Sequence, residues 1–294
     1  MPKKKSLNYI KLRKKWVKRQ LELEKSLFQK HKESFEWLSQ NGKQFTVGTL
    51  AGIFLLASPA VPTVNALKTE VVDPQQTPGK DIGKQNFIVY DLYNILPKEV
   101  APLDPVTEER VAEVLTRDYG ISVKPSIGDI RLNTSYGYIG QEQHLARYPG
   151  DNIYSHFDTQ NEASDYWSYG MAPGLGAWGY FSNSQSAMTK EDVLREKYYI
   201  AVQTFLAPGF EKDPKKYVDF FKYRKMLVVN PQNGKAVVAV IGDAGPAAWT
   251  GKQLGGSPEV MKYLQRVDGR QKGPVLYYFI EDPENKIPLG PVGI

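Results

Sequence analysis

The chain has 294 residues, enough for one or two domains plus attachments, with an ordinary 41% hydrophobic content. It has no cysteine, which excludes disulfides, thiolate metal sites and cysteine nucleophiles together. The net charge of +6 is divided unevenly: residues 1–44 hold 13 Lys/Arg against 4 Asp/Glu, a net +9, so the other 250 residues carry −3. A basic tail on a mildly acidic body does not suit a protein that wraps nucleic acid along its surface, and no nucleic-acid partner is expected.

Residues 1–44 read as a basic amphipathic helix, with Leu12, Trp16, Leu23, Leu27, Phe35 and Leu38 at helical spacing and Gly42 as its stop. Such a helix lies on anionic headgroups or, as a solvated helix, sets topology by its charge. Residues 45–67 follow as a transmembrane anchor or signal sequence: Phe45 to Ala66 carries no charge, and Val47 to Ala57 is almost wholly apolar. The run is long enough to cross a bilayer, whereas Pro59, Pro62 and the small residues around Ala60 and Ala66 equally suit a cleaved signal. Either way the basic side is expected in the cytoplasm and the body outside a bacterial cell membrane, or secreted after cleavage. Residues 68–84, rich in Pro, Gln, Thr and Gly, read as a linker.

Residues 85–165 form a small α+β region of no assignable fold. Thr107 to Asp118 is a short amphipathic helix stopped by Gly120, and Ile121 to Asp151 is dense in turn residues. Residues 166–294 are mainly β. Thr189 to Asp192 is a capping-box signal, a strand follows at Tyr198 to Leu206, and Pro231-Gln232-Asn233-Gly234 joins two β-branched runs as a hairpin. Ser257-Pro258-Glu259 opens a short helix to Leu264, and Gly273 to Glu281 is the last strand. Short strands with little helix predict a compact β-barrel. No GxGxxG, P-loop, HExxH or EF-hand spacing occurs in the body, so neither a cofactor nor a metal site is expected.

The sharpest candidate for chemistry is Asp243, delivered by the apolar strand Val237 to Ile241 into a Gly/Pro turn. A carboxyl at the end of a buried strand can serve as a glycosidic acid, and it can equally hold the turn by accepting backbone hydrogen bonds. The segment Leu227 to Leu264 resembles the barrel of the rare lipoprotein A (RlpA-like) family and its expansin and lytic-transglycosylase relatives: strand, Asn233-Gly234 hairpin, strand, Asp-x-Gly-Pro turn at Asp243 to Pro246, Gly-containing loop and short helix. The resemblance implies a double-psi β-barrel with a shallow glycan groove. In catalytic members it implies cleavage of peptidoglycan with the sugar's own hydroxyl as nucleophile.

On that resemblance Asp243 is the barrel aspartate, with Glu191 or Asp192 as a carboxylate partner. The histidine expected some residues later is replaced by the stretch Ala201-Val202-Gln203-Thr204, and His144 is the candidate substitute. Trp178, Trp249, Tyr180 and Asn230 are the candidate substrate-binding residues, the rings for stacking on pyranose faces. The function expected from the resemblance is that of an exported, membrane-tethered lytic transglycosylase acting on peptidoglycan, with a non-catalytic expansin-like glycan-binding module or division-site scaffold as the alternative.

Overall fold

A computed structural model describes residues 82–266 and 273–293, with side chains from Phe87 onward. The basic helix and the apolar run of residues 45–67 lie outside the described residues. Among the described residues no helix is long and apolar enough to cross a membrane. The described residues all fall in one unit that spans Thr69–Ile294.

The first helix, α1, covers Ile82–Ile95, so it begins inside the stretch expected as linker. Helix α2, Pro105–Tyr119, is built as its sequence dictates. Asp104 accepts hydrogen bonds from the amides of Val106 and Thr107, Pro105 occupies the first turn, and Gly120 closes the helix in the left-handed conformation at φ 65°. Short strands β1 (Val123–Lys124), β2 (Ser126–Ile127) and β3 (Ile130–Arg131) lead to β4, Tyr136–Gln141. Helices α3 (Gln160–Tyr166) and α4 (Lys190–Lys197) precede β5, Tyr199–Val202. Thr189 and Asp192 make the expected reciprocal capping box on α4.

Helix α5, Pro214–Phe221, leads into the hairpin of β6, Lys225–Asn230, and β7, Lys235–Ala244. The hairpin turns at Gly234, which takes φ 68° and donates to the carbonyl of Asn230. Strand β8 (Leu254–Gly256), helix α6 (Pro258–Tyr263), β9 (Gly273–Ile280) and β10 (Gly290–Val292) complete the chain.

Six of these strands close on themselves in the order β6–β7–β5–β8–β4–β9–β6. Pairs β5–β7 and β4–β8 are parallel and the other four are antiparallel. The pattern has a two-fold character: exchanging β7 with β4, β5 with β8 and β6 with β9 leaves every pairing type unchanged. Strand β4 lies in the 85–165 region, so the barrel draws one of its six strands from sequence upstream of residue 166.

Alternation along the strands makes two apolar layers. Met226, Val228, Val237, Ala239, Ile241, Val275, Tyr277 and Phe279 face the barrel interior with Ile139, Ile200 and Leu254. Their neighbours Leu227, Val229, Val238, Leu276, Tyr278 and Ile280 face outward and are covered by Ile88 and Leu92 of α1 and Val111 and Leu115 of α2. Both faces of β6, β7 and β9 are therefore buried, which is why these strands read as nearly continuous apolar runs.

Candidate functional site

The expected site residues fall into separate settings. Asp243 stands at the end of β7, beside a register shift between Ile200 and Ala201 of β5. Its Oδ1 accepts hydrogen bonds from the amides of Ala177 at 2.6 Å and Ala244 at 2.7 Å. Gly176 lets the chain pass this close, because a Cβ there would stand 3.1 Å from Leu145 Cδ1 and 3.5 Å from Asp243 Cγ. Both bonds fall on Oδ1, and Oδ2 takes none among the described residues. Trp178 is partly buried against the barrel core and donates its indole N–H to the Ile241 carbonyl at 3.0 Å. Trp249, in contrast, is 72% exposed in the loop after Pro246, and Tyr180 is also exposed.

Asn230 is buried and serves the hairpin: its Nδ2 donates to the Leu264 carbonyl, and its Oδ1 accepts from Gln232 N and Arg266 Nη2. Glu191 forms an exposed one-turn ion pair with Arg195 at 2.6 Å, and Asp192 is engaged in the capping box. Gln203, in the stretch that replaces the expected histidine, is buried and donates from Nε2 to the carbonyls of Pro246 and Lys252. No hydrogen bond joins Asp243 to Glu191, Asp192 or His144 among the described residues.

His144 belongs to a second setting, a buried polar cluster assembled from three parts of the chain. The segment after β4 supplies His144, Arg147, Asp151 and His156; α4 supplies Glu196 in its last turn; α6 supplies Glu259 in its first. A parallel bridge between His144 and Met171 holds the first segment, with His144 N donating to Gly170 O and Ala172 N donating to His144 O. Glu196 is the hub. Its Oε1 lies 3.3 Å from His144 Nδ1 and accepts from Leu145 N at 3.2 Å. Its Oε2 accepts from Arg147 Nε at 3.0 Å and lies 3.2 Å from His156 Nε2. His156 Nδ1 lies 2.9 Å from Asp151 Oδ2, and Arg147 Nη1 donates to the His156 carbonyl at 2.7 Å. Glu259 Oε2 is 4.0 Å from His144 Nδ1.

The electrostatics follow from this packing. Burial works to discharge His156, but the carboxylates of Asp151 and Glu196 beside its two ring nitrogens outweigh it and raise the imidazolium to about 9. Burial likewise opposes a charged Glu196, yet His144, His156 and Arg147 hold its carboxyl well below the usual range. Glu259 has no comparable donors, so burial and the adjacent Glu196 charge push its carboxyl well above the usual range. His144, His156 and Glu196 each place one donor atom within 4.8 Å of the others.

A pocket of about 550 Å³ borders the cluster at Asp151 and is lined also by Asn152, Tyr154, Trp167 and Met171. Tyr154 and Trp167 meet edge to face with centroids 5.2 Å apart. Of the expected catalytic residues only His144 lies in the cluster. Glu196 and Glu259 carry no local signal in the sequence, because each occupies an ordinary acidic position on a short helix. No family model, curated protein or solved structure matches this chain.

Proposed function

We propose that this protein is an exported, membrane-tethered module of the RlpA-like double-psi kind that binds peptidoglycan or a related wall glycan. The observation that carries the reading is the two-fold pairing pattern of the closed six-stranded barrel, with the Asp-x-Gly-Pro turn of the resemblance at the end of β7. Exposed Trp249 and Tyr180 offer ring faces near that end of the chain's barrel segment. Binding is favoured over cleavage because among the described residues Asp243 is hydrogen-bonded by backbone alone, and because a buried Gln203 amide lies in the stretch that replaces the expected histidine. Chemistry on a glycosidic bond needs a second proton-transfer group within reach of the first.

The second reading, lytic transglycosylase, is favoured by one feature. Asp243 is positioned through Oδ1, and Oδ2 has no partner among the described residues. Incubating the full chain with isolated sacculi, and measuring both pelleting and release of anhydro-muropeptides, separates the two. The expected result is pelleting without release, weakened by Trp249→Ala. Release that disappears in a folded Asp243→Asn variant establishes the lytic reading instead, and failure of the wild type to pellet removes both.

A further inference from the structure

We propose that the buried cluster is a closed site for one divalent transition-metal ion of the zinc class, held by His144, His156 and Glu196 with Glu259 completing the set. The inference is independent of the glycan reading, because its test detects the ion itself.

A tetrahedral ion with bonds of about 2.0–2.1 Å keeps neighbouring donor atoms about 3.3 Å apart. Nitrogen of His144 stands 3.3 Å from one Glu196 oxygen, and nitrogen of His156 stands 3.2 Å from the other. The His156 contact is close without being aligned as a hydrogen bond, since among the described residues His156 Nε2 has no hydrogen-bond partner. One donor atom from each of His144, His156 and Glu196 lies within 4.8 Å of the other two, a spread that one ion can draw together.

Among the described residues both oxygens of Glu259 and Nε2 of His156 are buried and make no hydrogen bond, although buried polar atoms are ordinarily paired. The four ligand residues are 0–6% exposed. A movement of Glu259 across its 4.0 Å separation from His144 brings one of those oxygens into the fourth position.

His156 Nδ1 is bound to Asp151 Oδ2 at 2.9 Å, which directs Nε2 inward, the carboxylate–histidine arrangement that orients metal-binding imidazoles. Arg147 holds Glu196 from outside through Nε and donates to the His156 carbonyl. With neutral imidazoles, Glu196, Glu259 and Asp151 oppose the single charge of Arg147, leaving −2 for a divalent ion to neutralise. Two imidazoles and two carboxylates, with no thiolate in the chain, form a nitrogen–oxygen donor set that suits zinc and accepts cobalt. With all four positions filled by protein the ion is structural: it ties the segment after β4 to α4 and α6.

The test uses the full chain without a histidine tag, stripped with a chelator and dialysed against Zn²⁺ or, separately, Co²⁺. The expected result is one retained ion per chain, an intense visible Co²⁺ spectrum of tetrahedral type, and a higher unfolding midpoint with Zn²⁺ than after stripping. Asp151→Asn, which leaves all four ligands in place, should weaken Zn²⁺ affinity about 10- to 100-fold. His156→Gln should abolish retention. If that variant does not fold, X-ray absorption on the wild-type Zn²⁺ form reads the ligands directly and should show two imidazoles and no sulfur. Wild-type protein that retains no ion, a cobalt spectrum of the hydrated ion, or a folded His156→Gln that still retains one equivalent overturns the proposal.

Discussion

The barrel interior and the His144–Glu196 cluster are equally deep and obey opposite rules. In the barrel, burial follows strand alternation, so that Val228, Val237, Tyr277 and Phe279 are inside because of their place in a period of two. In the cluster, burial follows partnership. Glu196 is fully buried because Arg147, His156, His144 and the Leu145 amide converge on its two oxygens. The first region tolerates a lost contact in proportion to the volume removed. The second tolerates the loss of its hub poorly, because every remaining charge is left in a dry environment.

The largest expected effect therefore belongs to the cluster. Glu196→Ala removes the carboxylate that Arg147, His144 and His156 share, and breaking a buried ion pair from one side costs about 3–5 kcal/mol. Urea unfolding should show this as a lower midpoint, or as loss of the cooperative transition. A loss under 1 kcal/mol would mean that water enters the cluster and that the two regions do not differ in kind.

Next in size is Leu276→Ala in the outer layer of β9, where the side chain is fully buried beneath α1 and α2. A large-to-small change in such a core costs about 2–5 kcal/mol. The comparison is sharpened by refilling: Leu276→Met should recover most of the loss, whereas Glu196→Gln should recover less, since an amide supplies one acceptor without charge. Equal recovery at both sites would erase the distinction.

The same contrast decides what the sequence discloses. The hairpin of β6 and β7 is legible because two β-branched runs flank Asn233-Gly234, and the turn there needs the positive φ that Gly234 adopts. Helix α2 is legible from its periodicity and from Gly120, and α4 from Thr189 and Asp192. Strand β8 is not, since three residues ending in two glycines carry no alternation. Strand β4 is obscured by Gly137 and Gly140, where a Cβ would meet Gln253 Cβ at 2.8 Å and Lys252 Cδ at 2.7 Å. These glycines make room for side chains more than 110 residues away in sequence, so no local pattern explains them. The cluster is illegible for the same reason: Glu196 and Glu259 find His144 only once the barrel has closed. Of its members, His144, Arg147, Asp151 and His156 fall within one polar stretch, which is the sole trace it leaves in the sequence.

A smaller effect is expected at the outer layer's own boundary. Asp104→Ala removes the carboxylate that accepts from Val106 and Thr107 N, leaving the first turn of α2 uncapped at a cost of about 1 kcal/mol. Thermal unfolding should show a shift of a few degrees, and Asp104→Asn should restore most of it. If Asp104→Ala matches Leu276→Ala in size, α2 is held to the barrel by its cap rather than by the apolar layer.

The smallest effect tests polar burial outside the cluster. Asp282, just beyond β9, is bound by Lys225 Nζ at 2.6 Å and accepts from the amides of Lys286 and Ile287 at 2.7 and 3.0 Å. Burial works to raise its carboxyl, but Lys225 and these amides bring it below its usual range. A carboxyl depressed on folding contributes stability that is complete above its unfolded value, about 3.9, and is lost as pH falls through the folded value. Wild-type stability should therefore decline on the acid side of pH 4 more steeply than that of Asp282→Asn, with the two curves parallel from pH 6 to 8. Parallel curves across the whole acid limb would mean that the Lys225–Asp282 pair contributes nothing. A difference as large as the Glu196→Ala loss would mean that a single paired carboxylate at the barrel rim matters as much as the hub of a six-member cluster, and that convergence of partners is not what makes the cluster brittle.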